Sequence, residues 1–340
     1  MDIARPQIKQ KRKRRRIVWA SAAVIIAAAG FFLWRFELRH HRNYVTLMHN
    51  GRSIRTLVDV PTKAQNKASV VVLVHEVYGL SDWAREMADD LADKGFIVVA
   101  PDFLSGHGPH GGGFSDFPSE GERVAAVQDL DPESVLADLD AAIDYGKKLP
   151  GRNGNIAVVG FSWGGWKSFE FATHRNDLSA VFVFYGTGPA DVTAMTAPVY
   201  GFYGGKDQEV SGTVPATADA MKAAGKVYDP VTYEGADHGF MRLAGEFGNT
   251  NPDNKTARDQ AFARLVMLLN EMGFRKGSPH GRTAALHLLV CIRRRVRELS
   301  RNSPIARLTE RRNFRVGDNA PEPQDRADFE LETRFGLNVS

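Results

Sequence analysis

The sequence predicts an α/β fold with a mostly parallel central sheet and helices on both faces, and three observations point to it. Short apolar runs alternate with amphipathic stretches from Tyr44 to Phe274. The apolar runs are unbroken and rich in β-branched residues, the pattern of strands covered on both faces. The hydrophobic content of 43% and aromatic content of 10% are enough for a packed core and exclude wholesale disorder.

In chain order, strands are predicted at Val70–Val74, Ile97–Ala100, Ile156–Val159, Ala180–Phe184, Pro198–Tyr203 and Val227–Tyr233. Helices are predicted between them at Asp82–Lys94, Pro132–Lys148, Gly165–His174 and Thr213–Ala224. In the second helix Val135, Leu139 and Ala142 share one stripe, and Pro132 stands where a first helical turn tolerates it. A last helix, Lys255–Met272, puts Ala261, Leu265, Leu268 and Leu269 on one face. The glycine-rich stretch Ser105–Phe114 reads as a flexible loop over a cleft. Its His107 and His110 have no third ligand at a useful spacing, so no metal site is expected.

The ends of the chain differ from this middle, which divides it into residues 1–43, a globular domain over 44–276, and an extension over 277–340. The net charge of +4 is concentrated at the ends. Seven Lys and Arg residues between Lys9 and Arg16 precede an uncharged run, Ile17–Trp34. As a helix that run would reach ~27 Å, close to the thickness of a hydrocarbon core. It is expected to anchor the chain in a membrane with the globular domain on the non-cytoplasmic side. A signal peptide cleaved near Ala27 and Ala29 is the alternative. Arg293, Arg294, Arg295 and Arg297 open a basic extension whose last part, Arg311–Ser340, lacks periodicity and reads as disordered. The single cysteine, Cys291, excludes a cysteine nucleophile in the core.

Gly160-Phe161-Ser162-Trp163-Gly164 carries the chemistry. A predicted buried strand leads into it and an amphipathic helix leads out. A sharp strand-to-helix turn lifts the serine oxygen clear of the sheet, and glycines let the backbone pass the strained corner. The helix N-terminus then turns free N–H groups toward a developing anion. This narrows the expectation to an α/β-hydrolase fold. A serine hydroxyl needs a base, and the base needs an orienting carboxylate. In this fold they follow in the order serine, acid, histidine at the ends of later strands. Asp207 and His238 fit, after Pro198–Tyr203 and Val227–Tyr233. Asp237 reads as a solvated loop residue, and His75 and His174 as weaker base candidates.

These pieces together resemble the dienelactone hydrolase family over about Tyr44 to Phe274. The likeness rests on His75-Glu76-Val77-Tyr78-Gly79-Leu80, Ala100-Pro101-Asp102-Phe103, the elbow Gly160–Gly165, and Gly235-Ala236-Asp237-His238-Gly239-Phe240. The resemblance implies that the N–H groups of Val77 and Trp163 form an oxyanion hole. It implies that Glu76 contacts the resting nucleophile and that Arg242 holds a substrate carboxylate. Arg123 would be either a second contact of that kind or a surface ion pair. Relatives of the namesake enzyme carry cysteine where this chain has Ser162, which shifts the expected substrate from dienelactone toward an ordinary ester or lactone. No cofactor is implied. Two other readings stand beside this one: a catalytically idle scaffold acting as a membrane-associated interaction protein, and nucleic-acid binding through the terminal arginines, which is not expected.

Overall fold

The computed structural model describes residues 40–61 and 67–275. The expectations for Ile17–Trp34, Cys291 and the C-terminal extension lie outside the described residues. Among the described residues, no helix is long and apolar enough to cross a membrane.

Among the described residues, eight strands form one sheet. They are β1 (His40–His49), β2 (Arg52–Pro61), β3 (Ala68–Val74), β4 (Ile97–Pro101), β5 (Arg152–Phe161), β6 (Ala180–Phe184), β7 (Val199–Gly204) and β8 (Tyr228–Tyr233). Their spatial order is β1-β2-β4-β3-β5-β6-β7-β8. From β4 to β8 all neighbours are parallel, while β1 and β2 add an antiparallel hairpin at one edge. The helices are α1 (Asp82–Asp93), α2 (Glu120–Gln128), α3 (Pro132–Gly146), α4 (Trp163–His174), α5 (Gln208–Ser211), α6 (Val214–Ala223), α7 (Phe240–Leu243) and α8 (Pro252–Arg275). Local chemistry sets their starts: the Ser81 hydroxyl accepts from Ala84 N–H at α1, and Asp131 caps α3 just ahead of Pro132.

The inner parallel strands β3 to β7 are buried on both faces, as their unbroken apolar runs require, whereas edge strand β8 is half-buried; alternate residues serve two separate cores. On one face Val71, Leu73, Val98, Val159 and Phe182 pack with Leu91 of α1 and Leu265 and Leu269 of α8. On the other, Val70, Val72, Val99, Val158 and Val181 pack with Leu139 of α3, Phe169 of α4 and Met221 of α6.

Three features differ from the expectation. The β1–β2 hairpin over His40–Pro61 was not anticipated. Helices α2, α5 and α7 are also additional. The Ser105–Phe114 loop is pinned rather than free. Buried Asp102 accepts from Leu104 N–H at 3.1 Å and Phe114 N–H at 2.9 Å, and the Gly112 carbonyl accepts from Gly106 and Gly108 N–H.

Candidate active site

At one edge of the sheet the loops after β3, β5, β7 and β8 carry His75, Ser162, Asp207 and His238. Ser162 sits at φ 54°, ψ −117°, a strained conformation for a side chain with a Cβ. The turn around it is held by Ser162 N–H donating to the Phe184 carbonyl at 2.9 Å. It closes only because its neighbours are glycines. A Cβ on Gly160 would lie 2.1 Å from the Gly164 carbonyl oxygen, and one on Gly164 would lie 2.3 Å from the His75 carbonyl oxygen.

The three residues expected to act together are within bonding reach. Ser162 Oγ is 2.8 Å from His238 Nε2, and His238 Nδ1 is 2.6 Å from Asp207 Oδ2. The other Asp207 oxygen, Oδ1, accepts from Val210 N–H at 3.2 Å. Asp207 is nearly enclosed, with 6% of its side chain exposed, whereas the His238 side chain is 45% exposed. The acid is thus fixed inside the protein, and the base faces the space that a reactant would enter. The N–H groups of Val77 and Trp163 have no acceptor among the described residues. Trp163 is the first residue of α4, so the helix dipole adds to its N–H.

The family model of the dienelactone hydrolases matches residues 54–273. The chain belongs to the dienelactone hydrolase family. It is therefore an ester or lactone hydrolase, which sets aside the idle-scaffold reading. A candidate carboxymethylenebutenolidase of Escherichia coli K12 is 30% identical over 194 residues, covering 53% of this chain and 70% of the relative. The carboxymethylenebutenolidase of Pseudomonas putida is 30% identical over 207 residues, covering 58% and 84%. In fold, the chain resembles the crystal structure of a candidate dienelactone hydrolase from Klebsiella pneumoniae. The TM-score is 0.59 at 23% identity, with 68% of this chain and 98% of that one covered.

Against the expectations drawn from that family, Glu76 is placed differently. Its carboxylate does not touch Ser162. Oε1 accepts from the Tyr185 hydroxyl at 3.0 Å and Oε2 from Arg242 Nε at 2.8 Å. Ser162 is instead committed to His238, because a hydroxyl paired with an imidazole has no need of a second acceptor. Burial pushes the Glu76 carboxyl up, while Arg242 and Tyr185 oppose the shift.

Arg242 is already paired with acids. Besides Glu76, it pairs with Glu246, approaches the Tyr78 hydroxyl at 3.4 Å, and stacks on the Tyr78 ring at 4.4 Å. A substrate carboxylate at Arg242 would have to share the guanidinium with two resident carboxylates. Arg123 is the opposite case, and the expectation of a surface ion pair fails for it. It forms no ion pair among the described residues, its Nε is buried without a partner, and its guanidinium lies over the Phe114 ring at 4.9 Å. Phe114 in turn abuts Gly79, two residues beyond Val77.

Three further placements add to the sequence reading. Asp237 is half-exposed but not free. Its Oδ2 accepts from Asn251 Nδ2 at 2.8 Å and Asn254 Nδ2 at 2.9 Å, and its N–H donates to Asn254 Oδ1 at 2.9 Å. These bonds hold its carboxyl below the usual carboxylate range. His174 is paired with Asp140 at 2.9 Å, on the side of the fold where α3 meets α4. Tyr185, which sequence reasoning missed, reaches Glu76 from a backbone φ of 40° and sets its ring edge-on to His238 at 5.2 Å. A groove of about 710 Å³ between α1 and α8 is lined by Trp83, Met87, Met241 and Phe262 and includes neither Ser162 nor His238. Arg242 is the residue that it shares with the site.

Proposed function

We propose that the chain hydrolyses carboxylic esters or lactones through an acyl-enzyme on Ser162. The observation that carries this reading is the continuous hydrogen-bonded path from Ser162 Oγ through His238 to buried Asp207. Ser162 Oγ attacks the carbonyl carbon as its proton passes to His238 Nε2. Asp207 keeps the other imidazole proton on Nδ1 and stabilises the imidazolium. The oxyanion forms against the N–H groups of Val77 and Trp163, where preorganised donors act most strongly. Collapse expels the alkoxide, which takes the proton from His238. Water then attacks the acyl-enzyme as His238 again accepts and returns a proton, and the carboxylic acid leaves.

Where the substrate carries a second, free carboxylate, Arg123 receives it. Arg242 already neutralises Glu76 and Glu246, whereas Arg123 has no counter-charge among the described residues.

The test uses the full chain, a fluorophosphonate probe, and paired aryl esters with and without a terminal carboxylate. Ser162→Ala is expected to lose labelling and to lower ester turnover by about 10⁴-fold or more, at an unchanged melting temperature. Retained labelling would exclude Ser162 as the nucleophile. Arg123→Met should raise KM about tenfold for the carboxylate ester alone.

A further inference from the structure

His75 directly follows β3 and is completely buried, yet no step above uses it. It is not a base in reserve. A carbonyl can only accept, so the 2.8 Å contact with the Glu76 carbonyl oxygen places the imidazole proton on Nδ1. The other nitrogen, Nε2, is buried with no partner. Burial pushes its pKa down to about 4, which favours the neutral ring. The imidazole stacks on the indole of Trp163, with centroids 5.7 Å apart and planes 17° from parallel, and meets the Phe103 ring edge-on at 5.1 Å.

We infer that His75 is the positioning residue for both oxyanion donors, the amides of Val77 and Trp163. The inference rests on the acyl-enzyme reading above. A trans peptide is planar, with its C=O and N–H pointing in opposite directions. The Glu76 carbonyl is held from one side by His75 Nδ1–H and by Gly79 N–H, the latter at 3.1 Å. The N–H at the other end of that same peptide belongs to Val77, so anchoring the oxygen aims the donor. The second donor is restrained through its own side chain, since the Trp163 indole is stacked, near-parallel and offset, beside the imidazole. The His75 carbonyl also packs against Gly164 where no Cβ would fit, so the end of β3 and the elbow are in direct backbone contact. One buried ring therefore contacts both the peptide that carries the Val77 N–H and the side chain of Trp163, whose amides must converge on one oxygen.

A buried nitrogen without a partner is unfavourable for folding, and an aliphatic side chain of similar size would avoid that penalty. Stability and function should therefore separate at this position, which a purely structural residue would not allow.

The experiment measures 4-nitrophenyl acetate turnover, the inhibition constant of an alkyl boronic acid and the melting temperature of the full chain. A boronate bound to serine places a negative oxygen where the oxyanion forms, so its affinity reports the donors directly. His75→Leu is expected to melt at or above the wild type. Its kcat should fall about 10- to 100-fold at unchanged KM, with the boronate weakened by a similar factor. His75→Asn puts an amide nitrogen at the position of Nδ1 and should recover most of both losses. Unchanged kcat in His75→Leu overturns the inference, as does an Asn variant no better than Leu. If the Leu variant does not fold, the Asn variant decides alone: near-wild-type kcat and boronate affinity support positioning, and lost kcat with intact boronate affinity refutes it. Full turnover by Ser162→Ala would instead remove the acyl-enzyme reading, whatever His75 does.

Discussion

Two regions of this molecule bury carboxylates, and they do so in opposite ways. At the catalytic edge each acid has its own donors: Asp207 has His238 and Val210, and Glu76 has Arg242 and Tyr185. At the antiparallel flank, Asp59 of β2 is buried against Asp89 and Asp93 of α1, with Arg42 as the cation beside them. Burial and the neighbouring carboxylates push Asp59 up to about 8. Dedicated donors hold a charge in place where chemistry will use it, while acids that face one another share protons instead. Removing an acid from the first region should therefore cost catalysis, and removing one from the second should relieve repulsion.

The sharpest way to break this comparison is at Asp207. Asp207→Asn preserves shape but no longer enforces the tautomer with a proton on Nδ1 of His238. We expect kcat to fall about 10⁴-fold, with KM and melting temperature little changed. A loss of tenfold or less in steady-state ester hydrolysis would mean that Asp207 only fills space.

A smaller effect is expected at Asp237, whose carboxylate ties the His238 loop to the start of α8 through Asn251 and Asn254. Buried Asn254 uses both its amide nitrogen and its oxygen in this clamp. Asp237→Ala should lower kcat about tenfold by loosening His238, while Asp237→Asn keeps an acceptor for the same donors and should stay close to the wild type. Equal losses in both variants would show that charge, rather than the clamp, is what matters there.

The catalytic edge was more legible in the sequence than the flank, and the reason is physical. Ser162 announces itself because a strained turn between a buried strand and a helix tolerates very few residue types around it. Asp207 and His238 follow from chain order once the elbow is placed. The partners of Glu76, Arg242 and Arg123 were not legible, because pairing depends on which side chains meet across the fold. Tyr185 and Asn254 give no local signal at all. The β1–β2 hairpin did leave one: Asn50-Gly51, both at positive φ (49° and 78°), is the pair that a tight type I′ turn favours. It was missed because half-exposed strands lack the unbroken apolar runs that marked the parallel ones.

The smallest effect, and the one that sharpens the comparison most, belongs to Asp59. Its pKa in the folded chain, about 8, lies above the ordinary carboxylate value of 3.8. Between those values the folded state holds a proton that the unfolded state has released. Stability from this group therefore falls as pH rises through that window. Asn in place of Asp59 keeps a hydrogen-bonding side chain beside Asp89 and removes the titration. Asp59→Asn should melt a few degrees above the wild type at pH 8, with the gap closing toward pH 5 and ester turnover unchanged at both. A gap of the same size at the two pH values would show that Asp59 carries no extra proton, and the flank would then resemble the catalytic edge after all.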